Sequence, residues 1–339
     1  MALCGIIPEF CAIDHPVVPE KIMRDLLLFM ETRFRGRFSL YGLCVLATVL
    51  FLVAGCSVKR MAVNTLGNAL VAGGETFGSD DDPDLIKQAV PFSLKLMESL
   101  LAESPRHRGL LLACSKGFTQ YAFAFVQQEA DETEEKDLEK AMEMRARARR
   151  LYLRARDYGL RGLERGHPDI EKRLHASPRE AVQSLRPPDV PLMYWTAVSW
   201  AAAISITKDS ADLIADLPIV EALIDQALGL DEAFDSGAIH SFLISYELNR
   251  QSGLGDPEER ARRHFQRAVE LSGGLLAGPF VTLAESVSVA NQNKSEFEKL
   301  LQQALRIEPD AKPEWRLANL VIQRRARWLL SRTGQLFVD

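Results

Sequence analysis

Ala261-Arg-Arg-His-Phe-Gln-Arg-Ala268 is the stretch on which the fold turns. Its apolar positions fall at i, i+4 and i+7 with alanine last, which is one face of an α-helix. The same pattern occurs at Val220, Ile224 and Ala227 and again at Phe297, Leu301 and Ala304, so the closing alanines are 41 and then 36 residues apart. Ten residues after the first two alanines stand Gly237 and Gly278, each opening a further apolar helix. Ala238, Ile239, Phe242, Leu243 and Tyr246 mark one, and Phe280, Val281, Leu283 and Ala284 the other. A fainter copy runs through Phe92, Leu96, Ser99 and Gly109. These spacings lie near the ~34-residue period of tetratricopeptide repeats, whose A-x3-F element is matched by Ala261 and Phe265. Alanine and glycine at fixed points let stacked helical hairpins approach closely. The pattern predicts an all-α chain, an irregular α-solenoid of tetratricopeptide-like helical hairpins. Its concave face or central channel is the default binding surface, with His240, Trp195 and Tyr246 as candidate channel-lining groups.

Outward from the repeat, helical periodicity continues and no stretch alternates apolar and polar residues long enough for a sheet. Asp82-Pro83 reads as an N-cap with proline at the first helical position, followed by a face of Leu85, Ala89, Phe92, Leu96 and Leu100 with a kink expected at Pro91. Leu110, Cys114, Phe118, Tyr121 and Phe125 form the next stripe. Ser177-Pro-Arg-Glu180 fits a capping box, and the proline-rich run from Arg186 to Pro191 is expected to break the helical pattern and separate two halves. Trp195, Val198, Ala202 and Ile206 follow on one face. Trp195, Trp200, Trp315 and Trp328 all sit on apolar stripes, where core packing is the default role.

At the other end of the chain, the segment from Phe38 to Gly55 carries no charge, follows Arg33, Arg35 and Arg37, and ends Val53-Ala-Gly-Cys56. Basic flank, apolar run and small residues in that order form a secretory signal. Small residues directly before cysteine resemble the bacterial lipobox, which makes Cys56 the expected lipid attachment site. An uncleaved membrane span is the competing reading, because the run approaches the ~20 residues a span needs. Fifty-five residues is long for a signal of roughly 15 to 30, and a start at Met30 restores ordinary length. The expected organisation is therefore an over-extended start at 1–29, a signal peptide at 30–55 and a single all-α domain at 56–339. Beyond that leader only Cys56 and Cys114 remain, so no internal disulfide is expected.

Function classes narrow by exclusion. With 41 basic and 46 acidic side chains, a net charge of -5 and 47% hydrophobic residues, the chain lacks the polycation signature of nucleic-acid binders. There is no H-E-x-x-H, no cysteine cluster, no phosphate-cradling G-x-x-x-x-G-K and no G-x-S-x-G elbow, so neither enzyme chemistry nor a cofactor or metal is expected. Asp80-Asp-Asp-Pro-Asp84 lacks the glycine and distal glutamate of a calcium loop and reads as helix capping. Arg145, Arg147, Arg149, Arg150, Arg154, Arg156, Arg161 and Arg165 follow an acidic run from Glu129 to Asp137. That order reads as one long helical region in which charge complements the helix dipole and pairs at i,i+4.

The lipobox, Met61-Ala-Val-Asn-Thr-Leu, Ser79-Asp-Asp-Asp-Pro-Asp-Leu, Leu96-Met-Glu-Ser-Leu-Leu-Ala-Glu, Gly117-Phe-Thr-Gln-Tyr-Ala-Phe-Ala-Phe-Val-Gln-Gln, Arg154-Ala-Arg-Asp-Tyr-Gly-Leu-Arg-Gly-Leu and Glu314-Trp-Arg-Leu-Ala-Asn-Leu together resemble the TatT component family of TRAP transporters. The resemblance implies a periplasmic lipoprotein of tetratricopeptide-like hairpins, held to a membrane through Cys56, with Ser57 favouring the outer membrane. It further implies association with a DctP-type solute-binding protein and, indirectly, with a membrane permease. A homotrimer with a pore through each subunit, passing a small hydrophobic ligand, is the family's expected form. A general lipid-anchored scaffold for envelope assembly is the alternative.

Overall fold

Every regular element among the described residues is helical, as the periodicity predicts. The computed structural model describes residue 24 and residues 61–207, 210–250 and 253–338, so Cys56, the leader and the Met30 start lie outside them. The chain divides into two units, Met1–Met61 and Ala62–Asp339, and the second carries every element from Gly74 onward.

Helix α1 is Pro83–Glu103, capped as expected by the Asp82 carboxylate, which accepts the N–H groups of Asp84 and Leu85. It runs through Pro91 as one helix. The expected apolar face is only partly the buried one: Leu100 is buried, but Leu85 and Phe92 are 54% and 73% exposed, and Ile86, Leu94 and Leu101 are buried in their place. The neighbouring helix α2, Arg108–Ala122, packs on α1 and takes the stripe that begins at Ile86.

After α2 the chain passes through a π-helical turn, Phe123–Gln127, into the short helix Gln128–Thr133. Phe118, Ala122, Val126 and Ala130 are all buried, at steps of four. In an α-helix such a stripe drifts by about 40° per step, and the wider π turn takes up the drift. The Gln128 N–H bonds the Phe123 carbonyl to close it.

The acidic run and the arginines do not share one helix. The chain bends before Asp137, which caps α3, Leu138–Glu164. Acids and bases then meet across the bend: Arg145 lies 3.0 Å from Asp131 and 2.8 Å from Glu134. Two further local expectations change. Ser177 begins the short helix Pro178–Ala181 without a side-chain cap. The run after Arg186 holds a 3-10 turn, Pro187–Asp189, rather than an open break. Its Asp189 is buried and accepts from Arg108 at 2.8 Å, the Arg186 N–H at 3.0 Å and His167 at 2.9 Å. Burial pushes that carboxyl's pKa up, but these donors outweigh it and hold it below the usual range.

Helix α4, Val190–Ser205, is buried almost all round and packs against α3 and α5, Leu217–Leu230. Gly159 is what lets α3 cross α4, since a Cβ there would collide with Thr196 Oγ1.

Next come α6, Phe234–Tyr246, and α7, Pro257–Leu271. Helix α8, Gly278–Leu283, runs on into a second π turn, Ala284–Ser288. Last are α9, Lys294–Arg306, and α10, Arg316–Ser331. The repeat alanines Ala227, Ala261, Ala268 and Ala304 are fully buried. Gly237 ends a left-handed turn shared with Asp235 and Ser236. A Cβ on it would stand 3.1 Å from Leu271 Cβ and 3.2 Å from Ala268 Cα, so glycine there serves both the turn and the α6–α7 approach.

Finally α10 returns to α1 and to the short helix Gly74–Gly78. Ion pairs join the same end of the chain to the short helix Gln128–Thr133 and the residue two beyond it: Arg324 to Glu132 at 2.9 Å, Arg325 to Asp131 at 3.1 Å and Arg332 to Glu135 at 2.6 Å. Arg325 also pairs with Glu285 of the second π turn.

Candidate functional site

Among the described residues, two half-open cavities lie between the helices. The larger, of about 1000 Å³, is bordered by Gln127, Tyr152, Ile214, Glu221, Phe242 and Tyr246 among others. The smaller, of about 580 Å³, is bordered by Val90, Gln120, Tyr121, Tyr194, Trp315 and Ile322 among others. Both walls are mainly apolar with a few polar groups, the usual make-up of a small-molecule site.

Two helices line the cavities in succession. On α6, Ala238 and Ser241 face the smaller cavity, and Phe242, Ser245 and Tyr246 the larger. These positions step by three and four, so one helix face runs past both. Helix α4 does the same, with Tyr194 at the smaller cavity and Val198, Ala201 and Ser205 at the larger. Phe123, first residue of the π turn, borders both.

Polar groups punctuate the apolar walls of both cavities. The Tyr152 hydroxyl donates to Gln127 Oε1 at 2.6 Å. Tyr246 OH is buried and has no hydrogen-bond partner among the described residues. Burial, followed by the nearby carboxylate of Glu221, raises its pKa beyond the ordinary phenol value, so it stays protonated and able to donate. Trp315, which borders the smaller cavity, carries the Lys312 ammonium 3.4 Å over its ring. Asn319 fixes the wall, accepting the Ala277 N–H and donating to the Leu275 carbonyl, both at 2.9 Å.

The three candidate channel residues have different places. Tyr246 borders the larger cavity. Trp195 is buried in the core edge-on to Tyr194, 5.0 Å between ring centroids, and borders neither cavity. His240 is also buried and borders neither, with its Nδ1 2.8 Å from that of His264 on α7. Burial pulls both imidazoles below their ordinary pKa, His264 to about 4. Cys114 is wholly buried, and burial pushes its thiol up to about 12. No group of three or more metal-ligating side chains occurs among the described residues.

Sequence reasoning missed Phe123, Gln127 and Tyr152. Phe118, Tyr121, Phe123 and Phe125 are too closely spaced for one helical face, and that crowding was the available signal.

The sequence profile of the family described as TRAP transporter T-component matches residues 79–337, which include all of the residues around the larger cavity and all but Phe77 and Gly78 around the smaller. The chain belongs to the TRAP transporter T-component family. A chain from Treponema pallidum (strain Nichols), described only as an uncharacterized protein, is 29% identical over 310 residues, covering 85% of this T component and 95% of the relative. The family is that of a transporter's accessory component rather than of an enzyme. No helix among the described residues of this T component is long and apolar enough to cross a membrane.

Proposed function

We infer that the protein is a lipid-anchored periplasmic accessory of a TRAP-type transporter, which associates with a DctP-type solute-binding protein and carries a small hydrophobic ligand through its helical ring. The observation that carries this reading is the pair of mainly apolar cavities set end to end along α4 and α6. The helices are read as tetratricopeptide-like hairpins whose winding leaves that lumen, and the assembly as a homotrimer.

Cys56 is the proposed anchor. A diacylglyceryl group with a further acyl chain supplies the two or more chains that stable anchoring requires, here at the outer membrane. Confinement raises the effective concentration of a weakly bound partner, so micromolar affinity for the binding protein suffices. The permease is reached only through that binding protein. The test is affinity purification of the tagged protein from its own membranes, with mass spectrometry of bound proteins and extractable small molecules. A DctP-type protein and an apolar ligand are the expected yield, and Cys56→Ala is expected to move the folded protein to the soluble fraction. Recovery of envelope-assembly proteins instead, without a ligand, would overturn the transporter reading.

A further inference from the structure

We propose that Phe123 is the movable partition between the two cavities, and that the cargo is an elongated amphiphile long enough to occupy both. This rests on the ligand-carrying reading above and adds a residue that controls it.

Phe123 is the one residue that borders both cavities among the described residues. It is 44% exposed although it stands between α2 and the short helix Gln128–Thr133, both of which bury their apolar positions. Part of its surface borders the two cavities. The π turn explains its direction: one extra residue per turn keeps Ala122 and Val126 on the core stripe and leaves Phe123 pointing off it. A phenyl group free of core packing can change rotamer without opening a hole behind it.

The segment that carries Phe123 is held at its far end by ion pairs. Asp131, four residues after Gln127, pairs with Arg145 of α3 and Arg325 of α10. The turn is thus fixed at both ends while the side chain at its start faces open space.

Ligand chemistry follows from the make-up of both walls. Each is mainly apolar, with Gln127, Glu221 and Ser245 among the polar residues bordering the larger cavity and Lys116, Gln120 and Asn319 among those bordering the smaller. An elongated, mainly apolar molecule with a hydrogen-bonding group, long enough to pass Phe123, matches both walls. A compact polar solute matches neither.

The test uses the whole soluble protein and 11-(dansylamino)undecanoic acid, whose emission rises in apolar surroundings, in stopped-flow mixing. Three variants grade the partition: Phe123→Ala, Phe123→Leu and Phe123→Trp. The expected slow-phase rates fall in the order Ala, Leu, Phe, Trp, with Ala faster than wild type by at least about tenfold, a barrier difference of about 1.4 kcal/mol. Melting temperatures are expected to stay level, because Phe123 supports no core contact whose loss would unfold the chain. Uptake by the wild type with rates indifferent to residue 123 would overturn the partition and leave the ligand-carrying reading intact. No uptake by the wild type would overturn both. Phe123→Trp guards the test against a truncation that unsettles the π turn, since it adds bulk and predicts the opposite sign.

Discussion

The crossing of α3 over α4 and the seam between α10 and the N-terminal helices join the same ring by different means. At the crossing, Gly159 lies against Thr196 and the surrounding side chains, Trp200 among them, are fully buried. At the seam, Arg324, Arg325 and Arg332 meet Glu132, Asp131 and Glu135. The crossing is held by burial, whereas the C-terminal contact carries ion pairs, which salt screens.

The largest effect is expected at the crossing. Gly159→Leu forces a side chain into space held by Thr196 and Ser115, and overpacking of this kind costs about 3 kcal/mol or more. Urea denaturation should register the loss, and a variant as stable as wild type would refute the close-packed account of α3 on α4. Next comes the seam: Arg325→Met leaves Asp131 and Glu285 without their shared partner, at a cost of about 2 kcal/mol, between the values for exposed and buried pairs. Hydrogen exchange should then quicken in 316–331 and 128–133 but not in 190–205, and raised salt should do the same to the wild type. Uniform quickening would erase the distinction between the two junctions.

The smallest effect concerns a third junction, α6 on α7, where His240 and His264 face one another with Glu232, Glu247, Arg250 and Arg263 about them. Burial, and then the neighbouring His240, takes His264 from 6.5 to about 4. The unfolded chain therefore binds more protons between those values, and stability is lost as pH falls through that window. A melting temperature that declines from pH 7 to pH 4, with a shallower decline in His264→Gln, is the expected record. Equal slopes would remove this pair from the account.

Some of this was legible in single residues. The Asp82 cap, the repeat alanines and Gly237 follow from local geometry, because a capping oxygen, a missing side chain and a left-handed turn each impose a residue type wherever they occur. The face of α1 was not legible: Leu85 and Phe92 are as apolar as Ile86 and Leu94, and only the position of α2 decides which pair is covered. The proline-rich run at 186–191 likewise turned on a distant partner. Asp189 is held by Arg108 and His167, which no local rule connects to it.

By itself, then, the chain's sequence determined that it is helical, where several helices are capped, and to which family it belongs, since periodicity, caps and small residues act within a few turns. The tertiary structure alone decided that α10 returns to α1, that acids and arginines pair across a bend, and that Phe123 borders both cavities while His240 and Trp195 pack away from them. Those outcomes depend on which helix faces are already covered by others, a competition among surfaces far apart in the chain.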